Sequence, residues 1–377
     1  MPEKQDQIIT YGSYNIPRFK AAAVQASPVI RDAPQWLDLQ STLNKAISLI
    51  TEAGRNGARL IVFPETFLPC YPYWSVDFSD RAGFGELWAN LLWNSVEVPS
   101  RETEALCEAA KKADAYVVMG INERDSKFPG RMYNSALYLS PRGEVMGTHR
   151  KICITVNERY FHAPGDGGEN LKTVFKTDIG KLGGSLCGEH TQLPLLYNWI
   201  MQGIQVHCSL WPGIVGLQNY IDIVTRSLCR TGYLFGVLSS TYIPEKNMPK
   251  NFYKNSYFNI PGSTRGGSGI ISPTGEYIAG PVYDEETIVY GDIDLSEIDK
   301  VRHVNNLTGN YSRWDLFSLN VRQDTYQPLV PMENPEGVLL PPESKQIRDL
   351  ESRIKELEQQ IANISQEMVR NSDKKKN

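Results

Sequence analysis

Three reactive side chains each stand just past a segment that reads as a strand. Cys187 closes GKLGGSLC, which reads as a buried strand entered through glycines, and precedes LPLLYNWIMQG, which reads as a helix with Pro194 in its first turn. A cysteine at that junction faces the free N–H groups of a helix N-terminus, which favour the thiolate. One more buried small apolar residue fits the same segment. Glu65 follows ARLIVFP (58–64), and Lys151 ends NSALYLSPRGEVMGTHRK (134–151). Singly, such a Glu or Lys reads as a solvated charge. Together the three meet the needs of acyl transfer. The thiol is a soft nucleophile and the carboxylate a general base. The ammonium is a fixed positive charge that lowers the thiol pKa and stabilises negative charge on the attacked centre. The chain has neither G-x-S-x-G nor H-E-x-x-H. The GDGGE turn lacks the Gly-Lys-Ser/Thr ending of a phosphate loop.

The elements that must hold these residues can be traced along the chain. KAAAVQA (20–26) reads as a first buried strand, 34–54 as a helix, and 58–64 as a strand covered on both faces. The stretch FPETFLPCYPYW (63–74) is an aromatic, proline-rich loop, richer in Tyr and Trp than a solvated turn needs. A helix over 101–114, a strand over 115–121 and a hairpin over 134–151 follow. After Cys187 come a strand over 203–212, a helix over 219–230 and a strand over 231–242. A polar loop over 246–267, a hairpin over 268–280 and a last strand over 286–299 complete the series. SPTGEYIAG in the second hairpin echoes SPRGEVMG in the first, which suggests an internal repeat of a strand–helix–strand–strand unit. Helices alternating with buried strands give a layered α/β sandwich.

The chain has 377 residues, 41% hydrophobic and 22% charged, with a formal net charge of -4. That balance does not suit nucleic acid or an anionic membrane surface. Six dispersed cysteines without a C-x-x-C argue against structural zinc and disulfides and for a reducing, cytoplasmic compartment. No signal-like or membrane-spanning stretch is evident.

FPETFLPCYPYW, HRKICITVNERYFHAPGDG and GGSLCGEHTQLPLLY, in that order and at those separations, resemble the three signature blocks of the nitrilase (carbon–nitrogen hydrolase) superfamily, over roughly residues 18–320. The resemblance implies an αββα four-layer sandwich pairing into a dimer, and a Glu65–Lys151–Cys187 triad. It also implies that Glu158 positions Lys151 and substrate. LPCYPYW and the Glu189-His190 pair resemble the true nitrilase branch. That branch usually has Trp after the nucleophile, where this chain has Gly188, and tends to have Gly where Cys70 stands. By family position Tyr71, His162, Gly188 and Trp211 bind substrate and His190 orients its neighbours. The implied reaction hydrolyses a nitrile to acid and ammonia through a Cys187 thioimidate and thioester, with no metal or organic cofactor. Amidase, carbamoylase or cyanide-degrading activity remains open, as does a non-enzymatic assembly protein.

The expected organisation is an arm (1–17), a hydrolase domain (18–299), an irregular extension (300–343) and a coiled-coil helix with a basic tail (344–377). Ile347, Leu350, Ile354, Leu357, Ile361, Ile364 and Met368 recur at steps of three and four, a heptad seam. A single amphipathic helix lying on the domain is the alternative. Homo-oligomers, from a dimer to a helical filament, are the expected assemblies.

Overall fold

Ala21 and Ala23 face one core while Ala22 and Val24, between and beside them, face another, and all four are fully buried. A strand covered on both faces needs apolar residues at every position, which is why these segments read as unbroken runs. The computed structural model describes residues 9–11, 14–75, 83–249, 262–322, 349–361 and 363. Contacts divide the chain into two units, Met1–Tyr326 and Gln327–Asn377.

In the first unit a short hairpin joins β1 (Ile9–Tyr11) to β2 (Tyr14–Ile16). The first large sheet holds β3 (Arg18–Gln25), β4 (Ala58–Val62), β5 (Tyr116–Arg124), β6 (Met132–Leu139), β7 (Val145–Arg150) and β14 (Thr287–Asp294), in the order β14-β3-β4-β5-β6-β7. The second holds β8 (Phe175–Thr177), β9 (Gly180–Leu186), β10 (Val206–Trp211), β11 (Phe235–Ser240), β12 (Gly266–Ile271) and β13 (Tyr277–Tyr283), in the order β8 through β13. Each sheet has three parallel strands, then an antiparallel pair, with one more antiparallel strand closing the far edge. The internal repeat is therefore present, and its unit is strand–helix–strand–helix–strand–strand–strand, with one extra helix before the third strand of the first copy; it is longer than the sequence suggested.

Helices α1 (Leu39–Arg55) and α3 (Arg101–Ala113) cover the outer face of the first sheet through Leu43, Ala46, Ile50, Leu106 and Ala110. Helices α4 (Leu193–Met201) and α5 (Gln218–Gly232) cover the second through Leu195, Trp199, Ile221 and Leu228. Between the sheets Leu60, Val62, Val118 and Tyr138 meet Leu182, Val206, Cys208 and Val237. This is the four-layer αββα sandwich expected from the sequence.

Several boundaries differ from expectation. Helix α1 starts at Leu39 rather than residue 34, because Asp38 caps it by accepting from the Ser41 N–H at 2.9 Å. The preceding Trp36 is buried at positive φ, which a helix cannot include. Helix α2 (Phe84–Trp93) was not anticipated; its buried Leu87 and Leu91 join Tyr71, Tyr73 and Trp74 in an aromatic cluster over the first sheet's end. The last strand stops at Asp294, whose carboxylate accepts from the Ser296 N–H as α6 (Ser296–Arg302) begins. That helix takes three residues from the expected irregular extension, and 303–322 follow as turns and irregular chain. Residues 1–8, 250–261 and 323–348, parts of the expected arm, polar loop and extension, lie outside the described residues.

In the second unit residues 349–361 are helical. Leu350, Ile354, Leu357 and Ile361 are each more than half exposed, a bare apolar stripe. Ile347, Ile364, Met368 and the basic tail lie outside the described residues. No helix among the described residues is long and apolar enough to cross a membrane.

Candidate active site

Strands β4, β5 and β7 run the same way, so the chain leaving β4 and β7 emerges at one end of the first sheet. Glu65 lies just past β4, in a turn that continues through Thr66 at φ 45°. The turn packs directly on β5, where a Cβ at Gly120 would sit 2.0 Å from the Pro64 carbonyl oxygen and 2.5 Å from the Thr66 nitrogen. Only glycine leaves room for the Glu65 turn there. Lys151 follows β7 and is pinned through its own N–H to the Asn134 carbonyl at 2.8 Å and through its carbonyl to the Gly165 N–H at 2.7 Å. Glu158 stands in the short 3-10 turn Val156–Tyr160.

Cys187 comes from the other sheet, at the end of β9. It has φ 45°, in the left-handed region that costs a non-glycine residue on the order of 1–3 kcal/mol and that recurs at functional turns. The residue opens a 3-10 turn, Cys187–Thr191, and α4 starts only at Leu193. The expected position at the N-terminus of an α-helix is therefore corrected. What the thiol does receive is the Gly188 N–H.

The four side chains converge in a dry site: Glu65 and Lys151 are fully buried, Glu158 and Cys187 nearly so. One carboxylate oxygen of each Glu and the Cys187 Sγ lie within 4.8 Å of one another. The Lys151 Nζ donates to Glu65 Oε1 at 2.8 Å and to Glu158 Oε1 and Oε2 at 2.8 and 2.7 Å, so the ammonium itself supplies positive charge between the acids. Asn134 donates to the same Glu65 Oε1 at 2.6 Å, while Glu65 Oε2 has no hydrogen-bond partner among the described residues. That leaves one carboxylate oxygen uncommitted and able to take a proton.

Burial raises Glu65, opposed by Lys151 and reinforced by Glu158, to a pKa of about 7. Burial works against the Lys151 ammonium, but Glu158 and Glu65 outweigh it and hold Lys151 protonated well above its ordinary range. Burial, then the Glu65 charge, push the Cys187 thiol well above its ordinary value; Lys151 and the Gly188 N–H pull the other way without prevailing. The resting nucleophile is thus a thiol, which corrects the expectation of a favoured thiolate. A neutral thiol beside a carboxylate that titrates near 7 is an arrangement for transferring the proton during attack.

The other expected residues also gather here. Tyr71 donates its hydroxyl to Glu158 Oε1 at 2.8 Å. His162 meets Asn122 Oδ1 at 2.7 Å through Nε2, and Asn122 Nδ2 donates to the Cys70 carbonyl at 2.9 Å. Asn122 therefore accepts from His162, which places the ring proton on Nε2 and leaves Nδ1 a buried acceptor without a protein partner. Burial lowers His162 to about 4, so it is neutral. His190 donates from Nδ1 to the Cys187 carbonyl at 2.7 Å, and its Nε2 meets Ser209 Oγ at 2.8 Å. It is also neutral, lowered by burial to about 4. Trp211 stacks on His190 with ring centroids 4.6 Å apart. Among the described residues a Cβ at Gly188 would touch only the Thr155 Oγ1, at 3.2 Å.

Sequence reasoning missed Asn134 and Asn122. Each is a fully buried amide inside an apolar strand, and that mismatch was the available signal.

Residues 20–303 match the family model described as carbon–nitrogen hydrolase. The chain is 32% identical over 335 residues to a nitrilase of Penicillium rubens, covering 85% of this chain and 98% of that one. It is 34% identical over 346 residues to an arylacetonitrilase of Macrophomina phaseolina, covering 85% and 96%. With an aliphatic nitrilase of Rhodococcus rhodochrous it shares 34% over 315 residues, covering 81% and 83%. In fold it is similar to a Saccharomyces cerevisiae member of branch 10 of the nitrilase superfamily, with a TM-score of 0.61 at 21% identity over 80% of this chain and 97% of that one.

Proposed function

The chain belongs to the carbon–nitrogen hydrolase family, in its nitrilase branch, and from that premise we propose that it hydrolyses a nitrile to the carboxylic acid and ammonia, with Cys187, Glu65, Lys151 and Glu158 as its catalytic residues. The observation that carries this reading is the convergence of the Cys187 thiol, two carboxylates and the Lys151 ammonium in one buried site.

Cys187 Sγ attacks the nitrile carbon while Glu65 takes the thiol proton and delivers it to nitrogen, giving a thioimidate. Water adds, again through Glu65, and a proton delivered to the amino group releases ammonia and leaves a thioester. A second water cleaves the thioester to the acid and restores the thiol. The balance is one nitrile and two waters in, one acid and one ammonia out. Lys151 and the Gly188 N–H face the negative charge that develops at the attacked centre. Glu158, held by Tyr71, fixes Lys151 between the acids. Breaking the C–S bond instead of the C–N bond at the first tetrahedral intermediate releases the amide.

His162, Trp211 and Tyr71 line the substrate side in this reading, and His190 holds the Cys187 turn. The reaction needs no metal or organic cofactor, because Lys151 supplies the positive charge. The hydrolase domain spans 18–299, followed by an extension and a coiled-coil helix from 344. The exposed stripe at 349–361 suits pairing between copies in a homo-oligomer, and the free cysteines suit the cytoplasm.

Ammonia release from butyronitrile, benzonitrile, phenylacetonitrile and cyanide, each beside its matched amide, tests the reaction. Faster release from at least one nitrile than from its amide is expected. Turnover of amides alone would make this an amidase using the same residues.

A further inference from the structure

One fully buried carboxylate ties the nucleophile's turn to the lysine's loop. Glu189 stands two residues after Cys187, within the 3-10 turn that Cys187 opens. Its Oε1 accepts from the Ile152 N–H at 2.7 Å and lies 3.5 Å from the Cys153 N–H. Its Oε2 accepts from the Leu186 N–H at 3.1 Å and from His149 Nε2 at 2.9 Å. Ile152 directly follows Lys151 on the chain leaving the first sheet. Leu186 directly precedes Cys187 at the end of β9 in the second. The two oxygens thus grip the backbone on either side of the gap that the reaction must hold constant.

The charge of this clamp follows from its partners. His149 Nε2 faces the Glu189 carboxylate, and Nδ1 faces the Asn170 carbonyl at 3.3 Å and the Thr173 hydroxyl at 3.5 Å, so the carboxylate side favours a protonated ring. His149 and Glu189 are both fully buried. The Glu189 charge holds His149 above its ordinary range, and His149 holds Glu189 below its own, against burial in each case. Replacing such a pair with apolar residues is often neutral for stability, so a buried ion pair calls for another account of its place. Its placement between the two reactive segments supplies that account.

We propose that Glu189 is a positioning residue for the reaction: with His149 it locks the Cys187 turn to the Lys151 loop, and so sets the approach of the thiol to the ammonium. The proposal rests on the reading of Cys187 and Lys151 given above. Glu189 touches neither substrate nor the reacting atoms and acts through the two backbone segments it holds.

Glu189→Gln has nearly the same shape but cannot keep the clamp. Either orientation of the amide turns its NH2 toward existing donors: two backbone N–H groups on one side, or a backbone N–H and His149 on the other. One segment must let go. A misplacement on the order of 1 Å costs about a hundredfold in rate. The expected result is therefore kcat about a hundredfold lower per folded molecule, with KM within about threefold of wild type. His149→Gln leaves the three backbone donors on Glu189 and should retain more kcat than Glu189→Gln. The measurement is kcat and KM on the fastest nitrile of the panel above, with the folded fraction taken from circular dichroism, beside Cys187→Ala. If Glu189→Gln does not fold, Glu189→Asp decides, because it keeps the charge but is too short to reach both segments; the same selective loss of kcat is expected. An active Cys187→Ala would overturn the reading of the site itself. An inactive Cys187→Ala with a Glu189 variant at wild-type kcat, or one that loses rate only in proportion to its folded fraction, would overturn this inference alone.

Discussion

The half of the molecule built on β3–β7 and the half built on β9–β13 share one strand order, yet they divide the chemistry unequally. The first carries the charges: Glu65 past β4, and Lys151 then Glu158 past β7. The second carries the nucleophile and, apart from the Glu189 carboxylate in its turn, keeps the side chains around it neutral. Behind Cys187, His190 meets Ser209, and His207 meets Ser185 at 2.8 Å. Burial lowers His190 to about 4 and drives His207 well below its ordinary value. A protonated ring there would compete with Lys151 for the negative charge of the reaction. Topology thus decides where strand ends meet, while the charge state of each end is decided locally by burial and partners.

If the halves are specialised in this way, the largest losses should come from the charged half's cation and the neutral half's thiol. Lys151→Arg keeps the charge but puts a broad fork where a compact ammonium touches two carboxylates, so kcat should fall by about a thousandfold. Near wild-type turnover would mean that the charged half is not catalytic. Gly120→Ala should lower kcat by about a hundredfold, because its methyl would displace the Glu65 turn rather than unfold β5. A loss seen only in the melting temperature would separate that turn from the chemistry.

The two halves should also answer differently to pH. In the charged half, Glu65 must be ionised to take the thiol proton, so kcat/KM should fall about tenfold per pH unit below its pKa of about 7. Stability follows a different sum. Above about pH 7 Glu65 is ionised in both folded and unfolded chains; between about 7 and 4.5 the folded state binds the extra proton, so this group becomes less destabilising as pH falls. His190 and His162 act in the opposite sense. Below 6.5 the unfolded chain protonates them while the folded state resists down to about 4, which removes up to roughly 3 kcal/mol apiece. The two histidines together outweigh Glu65; His207 and the lowered Glu189 add to their side, and the raised His149 opposes them. The melting temperature should therefore drop between pH 6.5 and 4.5, and His190→Gln should flatten that drop. An unchanged pH–melting curve in the variant would show that the neutral half is not neutral.

The smallest effect on rate should come from the second unit. Truncation before Ser344 is expected to leave kcat unchanged while lowering the mass of the assembly by light scattering. An unchanged mass would mean that the stripe of Leu350, Ile354, Leu357 and Ile361 does not pair copies of the chain.

Much of the charged half was legible in the sequence, because Glu65 ends an apolar run and Lys151 ends a hairpin, each where a strand must stop. Cys187 was legible for the same reason, and Glu158 through the block it shares with the family. What stayed hidden depends on contacts between distant segments. Asn134 meets Glu65 across 69 positions, and Asn122 meets His162 across 40. No periodicity reveals such pairs. The raised thiol pKa was hidden because a sequence shows the turn beside Cys187 but neither the depth of its burial nor how closely the Glu65 charge faces it. Helix α2 was legible as well, since Phe84, Leu87, Trp88, Leu91 and Leu92 recur at helical spacing, although only Leu87 and Leu91 are buried.

Cys187 should carry the substrate through a covalent intermediate. The most direct measurement is mass spectrometry of wild-type protein acid-quenched during turnover of the fastest nitrile, with peptides mapped around all six cysteines. The account predicts an acyl or imidoyl adduct on the Cys187 peptide alone, absent from Cys187→Ala, which should also turn over at least about ten-thousandfold more slowly. An adduct on Cys70, Cys153 or Cys208 instead, or steady turnover by Cys187→Ala, would contradict it.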